Sequence, residues 1–172
     1  MYRLTLLFLL LPFSLNYGCA LPQYIWPQSD IEFYEINQET LGKKILIASR
    51  ESEFKIAIIK KIEDAFLEKA VYIKIIGVDG LKNEDAKQYS AVLIINTGMA
   101  WEIDRKVEAF LDNYGELDSV IVLTTCISGD MSPDMEGRQI DAISSASAEE
   151  QINPVADEII SKLDKIIEGS SS

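Results

Sequence analysis

Short apolar runs alternate with amphipathic stretches along most of this chain. Lys44–Ser49 (KILIAS), Val71–Val78 (VYIKIIGV), Ala91–Asn96 (AVLIIN) and Ser119–Thr124 (SVIVLT) have strand length, and Ala142–Ser145 is a shorter fifth run. The third and fourth carry so few polar positions that both of their faces must be covered. Between the runs, apolar residues recur at helical spacing. Glu53–Lys69 places Phe54, Ile58, Ile62, Ala65 and Phe66 on one face behind Ser52 as N-cap. Ile103–Tyr114 does the same with Val107, Phe110, Leu111 and Tyr114, while Asn83–Gln88 is at most a short helix. Pro154–Glu168 closes the pattern, with Asn153 as cap, Pro154 at the first helical position and Gly169 after the last turn.

Strands separated by helical patterns predict βαβ units with helices on both faces of a parallel sheet. The expectation is a three-layer α/β/α sandwich around a five-stranded parallel sheet, with right-handed crossovers. Only residues 125–141 join the fourth and fifth strands, near the minimum for a parallel crossover, so any helix there must be short.

The first 40 residues break this pattern. Residues 1–20 read as an export signal: Arg3 is a minimal positive start, and Leu4–Phe13 is an apolar run shorter than a membrane-spanning helix. Gly18-Cys19 resembles the end of a bacterial lipobox, with Cys19 as the lipidated residue, although Asn16 and Tyr17 depart from that motif. Cleavage after Ala20 is the alternative. The preferred reading is a membrane-anchored lipoprotein of the cell envelope; otherwise the chain is periplasmic or secreted. Residues 21–40 form a spacer rich in aromatics, with Ile31–Ile36 a candidate edge strand. Residues 41–169 form the domain, and 170–172 a disordered tail. Cys126, without a thiol partner after processing, reads as a buried strand-end residue.

Charge and composition narrow the chemistry. The net charge of −12 would repel a phosphate backbone, which excludes nucleic acid as a partner. The 172 residues contain no histidine, so Ser-His-Asp and Cys-His nucleophilic systems and His-containing zinc sites are excluded. A Ser-Lys or carboxylate pair remains open as catalytic chemistry, but no catalytic residue is assigned. Asp104, Asp130, Asp134 and Asp141 are scattered loop acids that read as solvated turn residues rather than as metal ligands.

From Lys44 to Ile167 the order of elements resembles the flavodoxin-like fold, which implies strand order 2-1-3-4-5. The loop Thr97–Asp104 (TGMAWEID) follows the third strand, where flavodoxins place an aromatic against the flavin, and Trp101 is the residue that would stack. The stretch Thr124–Asp134 (TTCISGDMSPD) puts Ser128-Gly129-Asp130 where flavodoxins have a Gly-x-Gly-Asp segment. The resemblance therefore implies flavin mononucleotide at the carboxyl edge of the sheet, the edge where open α/β sheets bind ligands. The phosphate loop departs from the family. Ser49-Arg50-Glu51-Ser52-Glu53 has no glycine and two carboxylates. One carboxylate about 5 Å from a phosphate charge is repulsive by roughly 3 kcal/mol at an effective dielectric near 20. A phosphoacceptor receiver domain has the same strand order, but here Asn96-Thr97-Gly98 follows the third strand and no Lys follows the fifth until Lys162. The expectation is an exported binding or interaction module that uses Ser49, Arg50, Ser52, Thr97, Gly98, Trp101, Thr124, Thr125, Ser128, Gly129 and Asp130 toward an unidentified protein or small molecule. An electron carrier or reductase dependent on flavin mononucleotide, with a divergent phosphate site, is the alternative.

Overall fold

In the computed structural model, which describes residues 28–98, 102–114, 118–126 and 141–169, the strands are β1 (Tyr34–Ile36), β2 (Lys43–Ser49), β3 (Val71–Gly77), β4 (Ala91–Thr97), β5 (Val120–Cys126) and β6 (Asp141–Ala146). The helices are α1 (Glu53–Phe66), α2 (Arg105–Tyr114) and α3 (Ile152–Gly169), and 3-10 turns span Val78–Asn83 and Ala86–Gln88. One sheet holds all six strands in the order β1-β3-β2-β4-β5-β6. Strands β2 to β6 are mutually parallel, so the five apolar runs take the order expected for them.

The expectation of a purely parallel five-stranded sheet is corrected by β1, which adds a sixth strand antiparallel to β3 with Tyr34 opposite Ile75 and Ile36 opposite Ile73. Only residues 37–42 separate β1 from β2. A parallel crossover needs a dozen or more residues, so this connection can only reverse the chain. The reversal uses a left-handed backbone at Asn37 (φ 65°), whose side-chain amide donates to the Val71 carbonyl at 2.8 Å. Asparagine tolerates that conformation better than most residues.

Alternation along β2 and β4 splits the core between the two sheet faces. Ile45, Ile47, Leu93 and Ile95 pack with α1 and α3 on one face, and Leu46, Ala48, Val92 and Ile94 pack with α2 and the 3-10 turns on the other. The apolar stripe of α1 docks through Phe54, Ile58, Ile59, Ile62 and Phe66, and Ser52 caps the helix by accepting from the Lys55 amide at 3.3 Å. Helix α3 starts earlier than its proline suggests, at Ile152 behind a 3-10 turn over Glu149–Gln151. Pro154 therefore lies inside the first turn, where its missing N–H has no intrahelical acceptor. Cys126 is buried at the end of β5. Among the described residues, no helix is long and apolar enough to cross a membrane.

Candidate functional site at the carboxyl edge

Strand β2 feeds α1 on one face of the sheet, and β4 feeds α2 on the other. The chain therefore changes faces between β2 and β4, and the carboxyl ends of these strands mark the switch point, where open α/β sheets form their ligand crevice. The residues beyond these strand ends are Arg50 and Gly98, and both are buried.

Arg50 is the centre of the α2 side. Its Nε and Nη2 donate to Asp104 Oδ2 at 3.0 and 2.6 Å, and Nη1 reaches Asp30 at 2.5 Å and Asp79 at 2.8 Å. Lys106 closes a further ion pair with Asp79. Burial works against the guanidinium charge, but Asp104, Asp30 and Asp79 outweigh it and hold the arginine pKa above its ordinary value. Asp79 is pulled below the usual carboxylate range, first by its bond from Lys106; desolvation opposes this, and Arg50 adds to the lowering. Asn96 joins the same side. Its Oδ1 accepts from the Asp104 amide at 3.2 Å, whereas its buried Nδ2 has no partner among the described residues.

Lys55 is the centre of the α1 side, and its situation is different. Its side chain is 2% exposed, in the first turn of α1, and its Nζ donates to the Thr97 hydroxyl. That hydroxyl donates in turn to Gln28 Oε1 at 2.6 Å. Among the described residues, no carboxylate bonds the amine. Desolvation lowers the Lys55 pKa to about 8, Arg50 pushes in the same direction, and Asp104 opposes them.

The segment 28–31 ties the two sides together. It bridges antiparallel to Arg50, with the Ile31 amide donating to the Ser49 carbonyl at 3.3 Å and the Glu51 amide to the Ser29 carbonyl at 2.8 Å. It then crosses the carboxyl end of β3, where Asp30 accepts from the Val78 and Asp79 amides at 3.0 and 2.9 Å. Gly77 is required beneath it, because a Cβ there would lie 2.3 Å from the Asp30 carboxylate. Residues 28–36 thus form a strap that starts over the crevice and ends as β1.

Of the residues singled out from the sequence, Ser49, Arg50, Ser52, Thr97, Gly98, Thr124 and Thr125 meet at this edge. Most of their polar groups are used internally: the Ser49 hydroxyl donates to the Arg50 carbonyl at 2.8 Å, Thr125 donates to the Asn96 carbonyl at 3.2 Å, and the Gly98 amide donates to the Thr125 carbonyl at 2.9 Å. Thr124 is buried. Cys19, Trp101, Ser128, Gly129, Asp130 and Asp134 lie outside the described residues. Two other acids considered as turn residues are ion-paired: Asp104 with Arg50, and Asp141 with Lys162 at 2.6 Å.

Sequence reading missed Lys55, Gln28, Asp30 and Asp79. Lys55 did leave a signal, since positions 55, 58, 59 and 62 follow the buried stripe of α1. A lysine in an otherwise apolar stripe is a buried cation in waiting. The strap residues left none, because pairing across 20 to 49 positions has no local pattern.

The order of these elements is that of a flavodoxin-like fold, and the comparison with solved structures agrees. A flavodoxin from the domain Archaea matches with a TM-score of 0.53 at 12% identity, covering 72% of this chain and 98% of its own. A flavo di-iron protein from Thermotoga maritima matches with a TM-score of 0.53 at 15% identity, and a flavodiiron core from Synechocystis with 0.51 at 9%. Each covers 77% of this chain, which spans only 37% and 38% of theirs. At such identities the likeness is one of fold. No protein-family model matches the sequence, and no curated protein matches it.

Proposed function

We propose that this chain is a flavodoxin-like binding module that engages a small molecule or a protein through its carboxyl edge, without the flavin chemistry of its structural neighbours. One observation carries the reading: the chain's own strap is bonded to Ser49–Glu51, the loop to which the flavodoxin resemblance assigns the flavin phosphate. A phosphate site at a helix head needs backbone N–H groups turned toward the anion. Here the Glu51 amide already donates to Ser29, and Glu51 and Glu53 add two negative charges beside it. The residues present therefore do not fit a phosphate held in the flavodoxin manner, and no step is derived through flavin. Lys55 supplies the donor that a ligand carrying an acceptor group would use, because the Thr97 hydroxyl already donates to Gln28.

Flavodoxin and flavodiiron neighbours favour a second reading, an electron carrier or reductase that binds flavin mononucleotide through other contacts. A titration separates the two. The purified chain is mixed with flavin mononucleotide, and its visible absorbance and the flavin fluorescence are followed. The module reading predicts a colourless protein and unquenched flavin. A yellow protein, or tight quenching that Lys55→Met or Trp101→Ala removes, establishes the flavin reading instead.

The placement at the envelope rests on the leader and on Cys19. Cys19→Ala should move the protein from the membrane fraction to the soluble fraction if Cys19 is lipidated. An unchanged distribution removes the anchor from the account.

A further inference from the structure

The strap is attached to the domain in an unusual way. Its apolar hold is small: Phe33 and Tyr34 are 62% and 36% exposed, and Ile31 and Ile36 are only partly buried against the core. Its polar hold is dense. Tyr34–Ile36 adds one antiparallel strand to the edge of β3, Ser29 and Ile31 exchange backbone bonds with the end of β2, and Asp30 sits in a nest of donors from Arg50, Val78 and Asp79. Segments with little buried apolar surface open locally at a lower free energy than the core. Strand addition with one anchoring side chain is also a common way for a domain to bind an extended peptide.

Charge states what the vacated groove would take. Without Asp30, Arg50 and Lys106 keep Asp79 and Asp104, but the Arg50 Nη1 and the Val78 and Asp79 amides lose the carboxylate that they share. One incoming carboxylate restores the arrangement present with Asp30, with the same three donors on it. Gly77 keeps the groove floor free for the anchoring carboxylate, because a Cβ there would meet the Asp30 side chain.

We propose that the strap is a releasable occupant of a groove that recognises an extended acidic segment of a partner protein, and that such a segment displaces residues 28–36 when it binds. This rests on the reading of the carboxyl edge as a binding surface. The recognised pattern is an acidic residue followed, four to six positions later, by residues that pair with β3, as Asp30 precedes Tyr34 and Ile36.

The strap's own sequence is the probe. A fluorescein-labelled peptide of residues 28–36 is titrated against the full chain and followed by anisotropy, beside a peptide with alanine at the position of Asp30. The wild-type peptide should bind, and the alanine peptide should not. Asp30→Ala in the full chain weakens the competing strap, so wild-type peptide should bind it at least about tenfold more tightly, in proportion to the fraction of open grooves. No binding to either chain overturns the proposal. Equal binding of the two peptides overturns it too, and so does an Asp30→Ala chain that binds no better than wild type.

Should Asp30→Ala fail to fold, hydrogen exchange in the wild-type chain decides. The Ile31 and Glu51 amides should exchange at least ~100-fold faster than the Ile47 amide of the core, as local opening requires. Exchange at the core rate means the strap is not releasable. A chain that holds flavin yet binds the peptide refutes the proposed function and leaves the groove intact. A colourless chain that ignores the peptide does the reverse.

Discussion

Two buried cations stand on opposite faces of the same sheet edge, and they are treated in opposite ways. Arg50, on the α2 side, meets carboxylates from three elements: Asp30 of the strap, Asp79 of the 3-10 turn and Asp104 ahead of α2. Lys55, on the α1 side, meets one hydroxyl. Arginine suits the first position because its flat fork can satisfy several acceptors at once, and it stays charged at any accessible pH. Lysine suits the second because its charge yields to burial. The difference separates a clamp that closes the fold from a donor left with capacity to spare.

Removing the clamp should have the largest effect. Arg50→Met removes the guanidinium that pairs with Asp104, whose side chain is 3% exposed. Breaking a buried pair by deleting one partner destabilises by about 3–5 kcal/mol, which urea unfolding followed by far-UV circular dichroism would read. A loss below about 1 kcal/mol would show that the cluster is peripheral and the comparison mistaken.

The lysine should respond with the opposite sign. Its folded-state pKa lies near 8, below the ordinary lysine value, so folding must expel a proton as pH rises. Between about pH 8 and 10.5 the unfolded chain holds that proton and the folded chain does not, so stability rises with pH through this window. The full gain is on the order of 3 kcal/mol. Lys55→Met removes the desolvated charge and keeps the length of the side chain. It should be neutral or stabilising at pH 7, and its stability should lack the alkaline rise seen in wild type.

Smaller effects sharpen the picture at the periphery. Asp30→Ala strands the Val78 and Asp79 amides and leaves the Arg50 Nη1 with Asp79 alone, a loss of about 1.5–3 kcal/mol for bonds to a charged acceptor. The loss should fall on the strap, with faster exchange at Ile31 and Glu51 and little change at Ile47. Ser52→Ala, which removes the cap of α1, should cost about 1 kcal/mol without altering the pH profile.

Most of the frame was legible because apolar runs and helical stripes are local signals. β2, β4 and β5 are buried along nearly their whole length, as their composition demands, and Val107, Phe110 and Leu111 seat α2 as their spacing implies. The antiparallel β1 was only half legible. Its position fell within Ile31–Ile36, but its partner β3 lies beyond β2 in sequence and nothing local points to it. The site was less legible for a related reason. Arg50 and Thr97 could be placed at the edge because they follow strand ends, whereas the groups that define their chemistry come from elsewhere. Asp30, Asp79 and Asp104 reach Arg50 from three separate segments, and Gln28 reaches Thr97 across 69 positions. Periodicity reports which face of an element is buried. It does not report which distant polar group arrives there.

The comparison also bears on function. A flavodoxin-like frame offers its crevice to a ligand, and here one side of that crevice is occupied by an internal ion cluster and a strap. On the other side Gln28 of the strap closes Thr97, and Lys55 is a buried cation with no carboxylate bonded to it among the described residues, so the state of that amine is the decisive quantity. It can be read directly. Lysine side chains labelled with carbon-13 are titrated in the folded protein, and the Lys55 resonance is assigned by its loss in Lys55→Met. The expected midpoint lies near pH 8. A midpoint at the ordinary lysine value of about 10.4 would show a solvated or fully paired amine and would contradict it.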